Sequence, residues 1–267
     1  MSRQITLTSP LDGFTLPALS AHPQNAPIGG VVVIQEIFGL TDHVADMCAR
    51  FASQGYAALA PGLFERVAPR FHAELDAAGI EQGRAAVAAS PWPQVMSDVQ
   101  AAIDALPQPC YIAGFCYGGA VAWLAAAGCA GVRAASCFYG RLIAELTDAR
   151  PKAPVMLHYG ARDTSIPPAN IERVRQAAPD APLYLYDAGH GFCRDGSQDF
   201  DAVARDLRSR RADVALAAID VVAQHGTSRS EFRVTRQRLL RRFHAAMQCH
   251  DLACARRGRL RQLGQLL

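Results

Sequence analysis

The chain of 267 residues has neither long apolar runs nor a strong excess of charge of one sign. No apolar run approaches the about 18 residues that a membrane-spanning helix needs, so we expect no membrane span. Residues 1–8 contain no apolar segment of the kind that secretory signals carry. We therefore expect a cytoplasmic protein whose eight cysteines are free thiols rather than disulfides. No internal repeat is apparent in the sequence.

The small net charge of +3 is unevenly distributed. Residues 226–267 hold ten arginines and two acidic residues, so this end carries +8 and the preceding 225 residues carry −5. We predict a domain over residues 1–225 and a basic C-terminal extension over 226–267. The extension is either a solvated or partly disordered segment or an amphipathic segment attracted to a membrane surface or a nucleic acid. It lacks the interleaved aromatic residues of a single-strand binder, and we expect no nucleic-acid partner.

Two histidines and two cysteines of the extension invite a zinc site. Their spacing is irregular, so we predict no metal and no cofactor for this chain. The four residues are His244, Cys249, His250 and Cys254.

Short apolar segments alternate with amphipathic ones along most of the chain, and 50% of the residues are hydrophobic. This alternation predicts an α/β fold with a mostly parallel sheet and helices on both faces. Predicted strands cover residues 4–8, 14–20, 31–37, 56–60, 132–139, 154–159 and 183–186, the first two forming an edge hairpin. Predicted helices cover residues 41–55, 73–89, 94–106, 168–177 and 199–223, and residues 110–127 supply a further strand and helix.

That stretch of residues 110–127 contains the run Gly-Phe-Cys-Tyr-Gly, with Cys116 between Gly114 and Gly118. The spacing is that of a nucleophile elbow, a sharp strand-to-helix turn that leaves no room for a Cβ on either side. The N-terminus of the following helix would favour the thiolate form of Cys116. The alternative interpretation is a core cysteine beside a glycine-rich turn.

Candidate partners for Cys116 follow later strands. Asp163 lies after the predicted strand 154–159, and His190 lies between two glycines after the strand 183–186. Alone, Asp163 could cap the next helix and His190 could be a surface residue. Together the three residues occur in the order of nucleophile, acid and histidine that α/β-hydrolases use, which predicts a catalytic triad.

Glu36 lies near the end of the predicted strand 31–37. Ligand crevices in open α/β sheets form at the carboxyl ends of strands. The carboxylate is therefore either a solvated strand-end charge or a functional group.

Four motifs of the chain resemble those of the dienelactone hydrolase (carboxymethylenebutenolidase) family, and the resemblance runs from about residue 5 to about residue 207. They are Gln-Glu-Ile-Phe-Gly at 35–39, Gln-Gly-Tyr-Ala-Ala at 54–58, Gly-Phe-Cys-Tyr-Gly-Gly at 114–119 and Ala-Gly-His-Gly-Phe at 188–192. The resemblance implies an α/β-hydrolase fold and a cytoplasmic, cofactor-free hydrolase that opens enol-lactones in the bacterial breakdown of aromatic compounds.

The resemblance also implies a role for each matching residue. Cys116 would be the nucleophile, His190 the base and acid, and Asp163 the carboxylate that orients His190. Glu36 would contact the thiol in the resting enzyme and shift when a substrate carboxylate arrives, so that the thiolate forms mainly with substrate bound. The backbone N–H groups of Ile37 and Tyr117 would form the oxyanion hole.

Members of this family hold the substrate carboxylate with two arginines. Arg194, four residues after His190, matches the first. Arg84 is the candidate for the second, although its spacing is shifted and the family's neighbouring tyrosine is absent. Either arginine could instead be a solvated surface charge.

We therefore expect a monomeric hydrolase that acts on a small carboxylate-bearing lactone or ester. Two alternatives remain at this point. One is an esterase or thioesterase for other acyl substrates. The other is a non-catalytic hydrolase-fold module that binds an anionic partner through its basic extension.

Overall fold

A computed structural model of the chain describes residues 3–194, and its strands form one eight-stranded sheet. The strands are β1 (Arg3–Thr8), β2 (Thr15–Ala21), β3 (Gly30–Ile34), β4 (Ala57–Pro61), β5 (Cys110–Phe115), β6 (Val132–Phe138), β7 (Val155–Gly160) and β8 (Leu183–Tyr186). Their spatial order is β1-β2-β4-β3-β5-β6-β7-β8. The β1–β2 and β2–β4 pairs are antiparallel and the other pairs are parallel, which confirms the predicted sheet and edge hairpin.

Helices connect the parallel strands. They are α1 (Asp42–Ser53), α2 (Ala77–Ala89), α3 (Trp92–Asp104), α4 (Tyr117–Gly128) and α5 (Pro168–Ala177), with a short 3₁₀ helix over Arg141–Glu145. Because β3-α1-β4 and β4-α3-β5 run in opposite directions along the sheet, right-handed crossovers place α1 on one face and α3 on the other. Helix α4 packs against α3. The predicted α/β-hydrolase arrangement is confirmed.

The central strand β3 has the sequence Gly-Val-Val-Val-Ile and is buried on both faces. A continuous β-branched run of this kind is typical of a parallel strand that is covered by helices on both sides. The strand ends at Ile34 rather than at Ile37, because Glu36 bridges back to Gly39 in a tight turn. Gly39 adopts φ +86°, a conformation that glycine tolerates best. Glu36 is therefore held in this turn just beyond the strand.

The segment between β4 and α3 is irregular at first, and α2 begins at Ala77 instead of the expected Ala73. The Asp76 side chain accepts a hydrogen bond from Gly79 N at 2.8 Å, and this N-cap fixes where the helix begins. The buried face of α2 includes Gly79 and Gly83. A Cβ on Gly83 would lie 2.3 Å from Ile37 O, so glycine here permits close packing against the loop after β3.

Several predictions fall outside the described residues. These are the helix over 199–223, the boundary near residue 225, the basic extension and its histidines and cysteines. Between residues 3 and 194, no helix is both long enough and apolar enough to cross a membrane.

Candidate active site

Cys116 occupies the turn between β5 and α4, with φ 54° and ψ −114°. Positive φ is uncommon for a residue with a side chain and costs of the order of 1–3 kcal/mol, which the surrounding packing must offset. A Cβ on Gly114 would lie 1.9 Å from Gly118 O, and one on Gly118 would lie 2.4 Å from Ile34 O. Both glycines are therefore required by the close approach of β5, α4 and the end of β3. The cysteine nitrogen donates to Phe138 O at 3.0 Å, which ties the turn to β6.

His190, in the loop after β8, contacts Cys116, and Asp163, in the loop after β7, contacts His190. His190 Nε2 lies 3.3 Å from Cys116 Sγ, and His190 Nδ1 lies 2.6 Å from Asp163 Oδ2. The Asp163 side chain is almost fully buried, whereas a quarter of the His190 side chain is exposed. The structure thus brings the three predicted residues into one hydrogen-bonded row, in which the imidazole can exchange a proton with the thiol.

The environment shifts the pKa values of both partners. Burial alone would lower the pKa of the His190 imidazole, but the adjacent Cys116 thiolate and the hydrogen bond to Asp163 raise this pKa to about 10. Burial alone would raise the pKa of the Asp163 carboxyl, but its hydrogen bonds with His190 and Ser165 hold the pKa below its usual range. These directions favour the imidazolium form of His190, which is present once His190 has taken a proton, and the ionised form of Asp163 beside it.

Glu36 and Arg194 form a second, separate pair. Arg194 Nη1 donates to Glu36 Oε2 at 2.6 Å, and the Arg194 and Glu36 side chains are only 11% and 2% exposed, respectively. The Arg194 guanidinium also lies 5.0 Å from the centroid of the Phe38 ring, within cation–π range. In this structure Glu36 is bonded to Arg194 and the thiol is bonded to His190. The resting contact that the family resemblance implies between Glu36 and Cys116 is not among these hydrogen bonds.

The two amides expected to form the oxyanion hole lie on adjacent segments. Tyr117 is the first residue of α4, so its N–H has no acceptor within the helix. Ile37 follows the end of β3, the strand end against which Gly118 packs. The Tyr117 ring stacks between Phe64 and Trp92, with centroid distances of 5.4 and 5.9 Å. These two contacts fix the orientation of the residue that follows the cysteine.

The expectation that Arg84 binds substrate is not supported by its position. Its side chain is 67% exposed and donates to Glu81 at 2.9 Å on the surface of α2. Helix α2 turns its small residues Gly83 and Ala86 inward, and Arg84, one residue after Gly83, points about 100° away around the helix. Close packing of the glycine face therefore directs this arginine to solvent.

Three further residues contact the site and were absent from the sequence-based set. Ser165 Oγ lies 2.6 Å from Asp163 Oδ1 and 3.2 Å from His190 Nδ1. Tyr139, with φ 39°, packs edge-on against the His190 ring at 5.0 Å. The Phe38 ring lies against the Arg194 guanidinium. Only Ser165 has a local sequence signal, because a serine two residues after an aspartate is typical of an Asx turn.

A cavity of about 340 Å³ opens beside Arg194. Its wall is formed by one side of α1, from its N-cap Thr41 to Arg50, by residues 72–75 and by Cys193 and Arg194. Among residues 3–194, no group of three or more histidine, cysteine, aspartate or glutamate side chains is placed to hold a metal ion.

A mostly parallel sheet that presents a cysteine on its strand-to-helix turn, with an aspartate and a histidine on later strand-end loops, defines a protein of the α/β-hydrolase class. Within that class the chain belongs to the dienelactone hydrolase family, whose profile matches residues 16–219.

Individual relatives agree with this assignment. The chain is 36% identical to a Yersinia pestis protein named "Putative carboxymethylenebutenolidase" over 83% of this chain and 88% of that protein. It is 30% identical to the carboxymethylenebutenolidase of Pseudomonas putida over 75% of this chain and 90% of that protein. A solved structure titled "Putative Dienelactone Hydrolase" from Klebsiella pneumoniae, 30% identical, superposes with a TM-score of 0.67 over 79% of this chain and 96% of that chain. The chain is accordingly a hydrolase of carboxylic ester or lactone bonds.

Proposed function

We propose that the protein is a cysteine-dependent hydrolase that opens a small carboxylate-bearing lactone, of the dienelactone type, or a related ester through an acyl-enzyme. The observation that carries this proposal is the row from Cys116 Sγ through His190 to the buried Asp163 carboxylate. A nucleophile within reach of a base that a third group orients is the arrangement that covalent acyl transfer requires.

The proposed reaction begins when His190 Nε2 takes the proton of the Cys116 thiol. The thiolate attacks the substrate carbonyl, and the N–H groups of Ile37 and Tyr117 stabilise the oxyanion that forms. The bond to the leaving oxygen breaks, and His190 returns the proton to that oxygen, which opens a lactone ring. His190 then activates a water molecule that hydrolyses the thioester and releases the free acid and the thiol.

Substrate selection is assigned to Arg194. Its guanidinium is mostly buried and already holds one carboxylate, that of Glu36, at 2.6 Å. A substrate carboxylate matches the same donors, so binding would exchange one anionic partner of Arg194 for another. With Arg84 directed to solvent, we propose that Arg194 is the principal carboxylate-binding residue of this chain.

The test is turnover of an enol-lactone and a 4-nitrophenyl ester by the wild type and by Cys116→Ala and His190→Ala. We expect each variant to lose about a thousandfold or more in kcat, because the residues of such a row act as a unit. Cys129→Ala, which removes a partly buried thiol bonded to Met96 O, is the matched control and should keep its activity. Equal rates in the wild type, Cys116→Ala and His190→Ala would sink the proposal.

The cavity beside Arg194 favours a second candidate, an esterase for larger acyl or leaving groups. A series of 4-nitrophenyl esters of increasing chain length separates the two candidates. A preference for long chains over carboxylate-bearing lactones would favour the second. The monomeric state and the cytoplasmic location stay predictions.

A further inference from the structure

Ser165 lies in the loop between β7 and α5, two residues after Asp163, and its side chain points back to that carboxylate. Its backbone N–H donates to Asp163 Oδ1 at 2.9 Å, and its hydroxyl lies 2.6 Å from the same oxygen. The other carboxylate oxygen, Oδ2, lies 2.6 Å from His190 Nδ1. Ser165 therefore supplies two hydrogen bonds to one oxygen of Asp163, while His190 bonds the other.

The direction of each bond follows from the chemistry of the groups. An ionised carboxylate only accepts hydrogen bonds, so the single hydroxyl proton of Ser165 is directed to Asp163 Oδ1. The Ser165 oxygen then faces His190 Nδ1, at 3.2 Å, as an acceptor. The Nδ1–H of His190 consequently lies between two acceptors, Asp163 Oδ2 and Ser165 Oγ.

We infer that Ser165 is a positioning residue of the proposed reaction: its hydroxyl holds the Asp163 carboxylate in place and keeps the proton of His190 on Nδ1. With Nδ1 occupied, Nε2 is the nitrogen that faces Cys116 Sγ as the base. The inference rests on the proposed function, because it matters only if His190 serves Cys116. Ser165 touches no reacting atom and acts through its two neighbours.

The hydroxyl also affects which protonation state Asp163 adopts. Burial opposes the charged form of this carboxylate, and the hydrogen bonds from His190 and Ser165 favour it. Removing the hydroxyl removes one of the bonds that keep the pKa of Asp163 low. The ionised form exists above that pKa, so without the hydroxyl it is lost at a higher pH as the solution is acidified.

The test compares Ser165→Ala, which deletes the hydroxyl, with Ser165→Thr, which keeps it. Ser165 is solvent-exposed, so neither substitution empties or overfills a core position. Thr164→Ala, at the exposed neighbouring position of the same loop, is the matched control. Cys116→Ala is measured in the same assay. The readouts are kcat and KM for 4-nitrophenyl acetate from about pH 3 to about pH 9, with thermal unfolding at each pH as the check on folding.

We expect Ser165→Ala to lose about tenfold in kcat with KM changed by less than about twofold, since one hydrogen bond to a charged group is lost. Its acid limb should move to higher pH. Ser165→Thr and Thr164→Ala should retain the wild-type kcat and acid limb.

Two results would overturn the inference. One is a Ser165→Ala variant with the wild-type kcat and acid limb, and the other is a Ser165→Thr variant as impaired as Ser165→Ala. Cys116→Ala distinguishes this failure from failure of the proposed function. If Cys116→Ala retains wild-type turnover, the proposed function itself is wrong. If Cys116→Ala is inactive while Ser165→Ala is unchanged, only the role of Ser165 is wrong.

Discussion

At the scale of single residues, the neighbour of Cys116 distinguishes it from the buried thiols of the described chain. Burial raises the pKa of Cys48 and of Cys110 to about 12, and that of Cys129 to about 11. Those thiols stay protonated at neutral pH and behave as small apolar side chains. Cys116 instead has an imidazole nitrogen 3.3 Å from its sulfur. Reactivity is therefore expected at this cysteine because of a histidine 74 positions later in the chain.

The pKa of His190, raised to about 10, predicts the alkaline limb of the activity profile. The imidazolium exists below this pKa, so the group that protonates the leaving oxygen is lost as the pH rises through about 10. In Asp163→Asn the limb should move to lower pH, because the hydrogen bond and charge of Asp163 help to raise the pKa of His190. The alkaline limbs of the wild type and of Asp163→Asn are measured as initial rates with a non-ionising ester. The rate of Cys116→Ala is subtracted as the blank. A limb near the ordinary histidine value of 6.5 in the wild type would contradict the prediction.

Arg194 and Arg84, the two candidate substrate-binding arginines, are expected to respond differently to substitution. Arg194→Ala should raise KM for a carboxylate-bearing ester by about tenfold or more relative to its neutral analogue, because a charge-assisted hydrogen bond is lost. Arg84→Ala should leave the same ratio unchanged, since its side chain is 67% exposed and pairs with Glu81. The ratio of kcat/KM for the two esters cancels general damage to the enzyme. Equal ratios in both variants would remove Arg194 from substrate recognition.

At the scale of elements, two strand ends pack against the nucleophile turn. Gly118 packs against the end of β3, and Gly119 packs against the end of β6, where a Cβ would lie 2.8 Å from Phe138 O. The first turn of α4 is thus wedged between two strand ends. Backbone atoms cannot rotate away as a side chain can, so the position of the turn depends on the absence of these Cβ atoms.

Gly118→Ala is therefore expected to disrupt the turn. The added Cβ would lie 2.4 Å from Ile34 O, and we expect a cost of about 1–3 kcal/mol together with loss of most activity. Gly128→Ala is the matched control, because it lies on the same helix and its Cβ would meet nothing within 4 Å. That variant should keep its activity and be as stable as the wild type or up to about 1 kcal/mol more stable. Urea unfolding and ester turnover measure both. Equal behaviour of the two variants would contradict this account of the turn.

The helices and strands were largely predictable from two features of the sequence. Hydrophobic residues recur with the period of a helix or a strand, and glycine, proline or a capping residue marks where each element ends. Helix α5 covers the predicted residues 168–177, and the order of strand, turn and helix around Cys116 follows from its glycines. The direction of Arg84 was not predictable, since packing of the glycine face of α2 decides it. Nor was the pairing of Arg194 with Glu36, because the two residues are 158 positions apart and neither has a local sequence signal for the other.

At the scale of the whole molecule, one arginine joins three distant parts of the described chain. Arg66, after β4, donates to Asp98 on α3 at 2.8 and 2.9 Å and to Asp12 in the β1–β2 loop at 2.7 and 3.0 Å. Its guanidinium also lies 4.2 Å from the centroid of the Phe14 ring. The Asp98 side chain is only 1% exposed, so its charge depends on Arg66 for compensation. The hydrogen bonds of Arg66 therefore link the edge hairpin and α3 to the segment between β4 and α2.

Arg66→Ala should consequently destabilise the fold without touching the proposed catalytic residues. It leaves the Asp98 carboxylate buried and unpaired, for which we expect a loss of about 3 kcal/mol in the free energy of unfolding. The double variant Arg66→Ala/Asp98→Asn should lose less, because no charge remains buried. Arg84→Ala, which breaks an exposed pair, is the control and should change stability by less than about 0.5 kcal/mol. Urea denaturation of the four chains measures these differences. If Arg66→Ala is no less stable than Arg84→Ala, the hydrogen bonds of Arg66 do not hold the three segments together, and the packing of α3 against the sheet suffices without them.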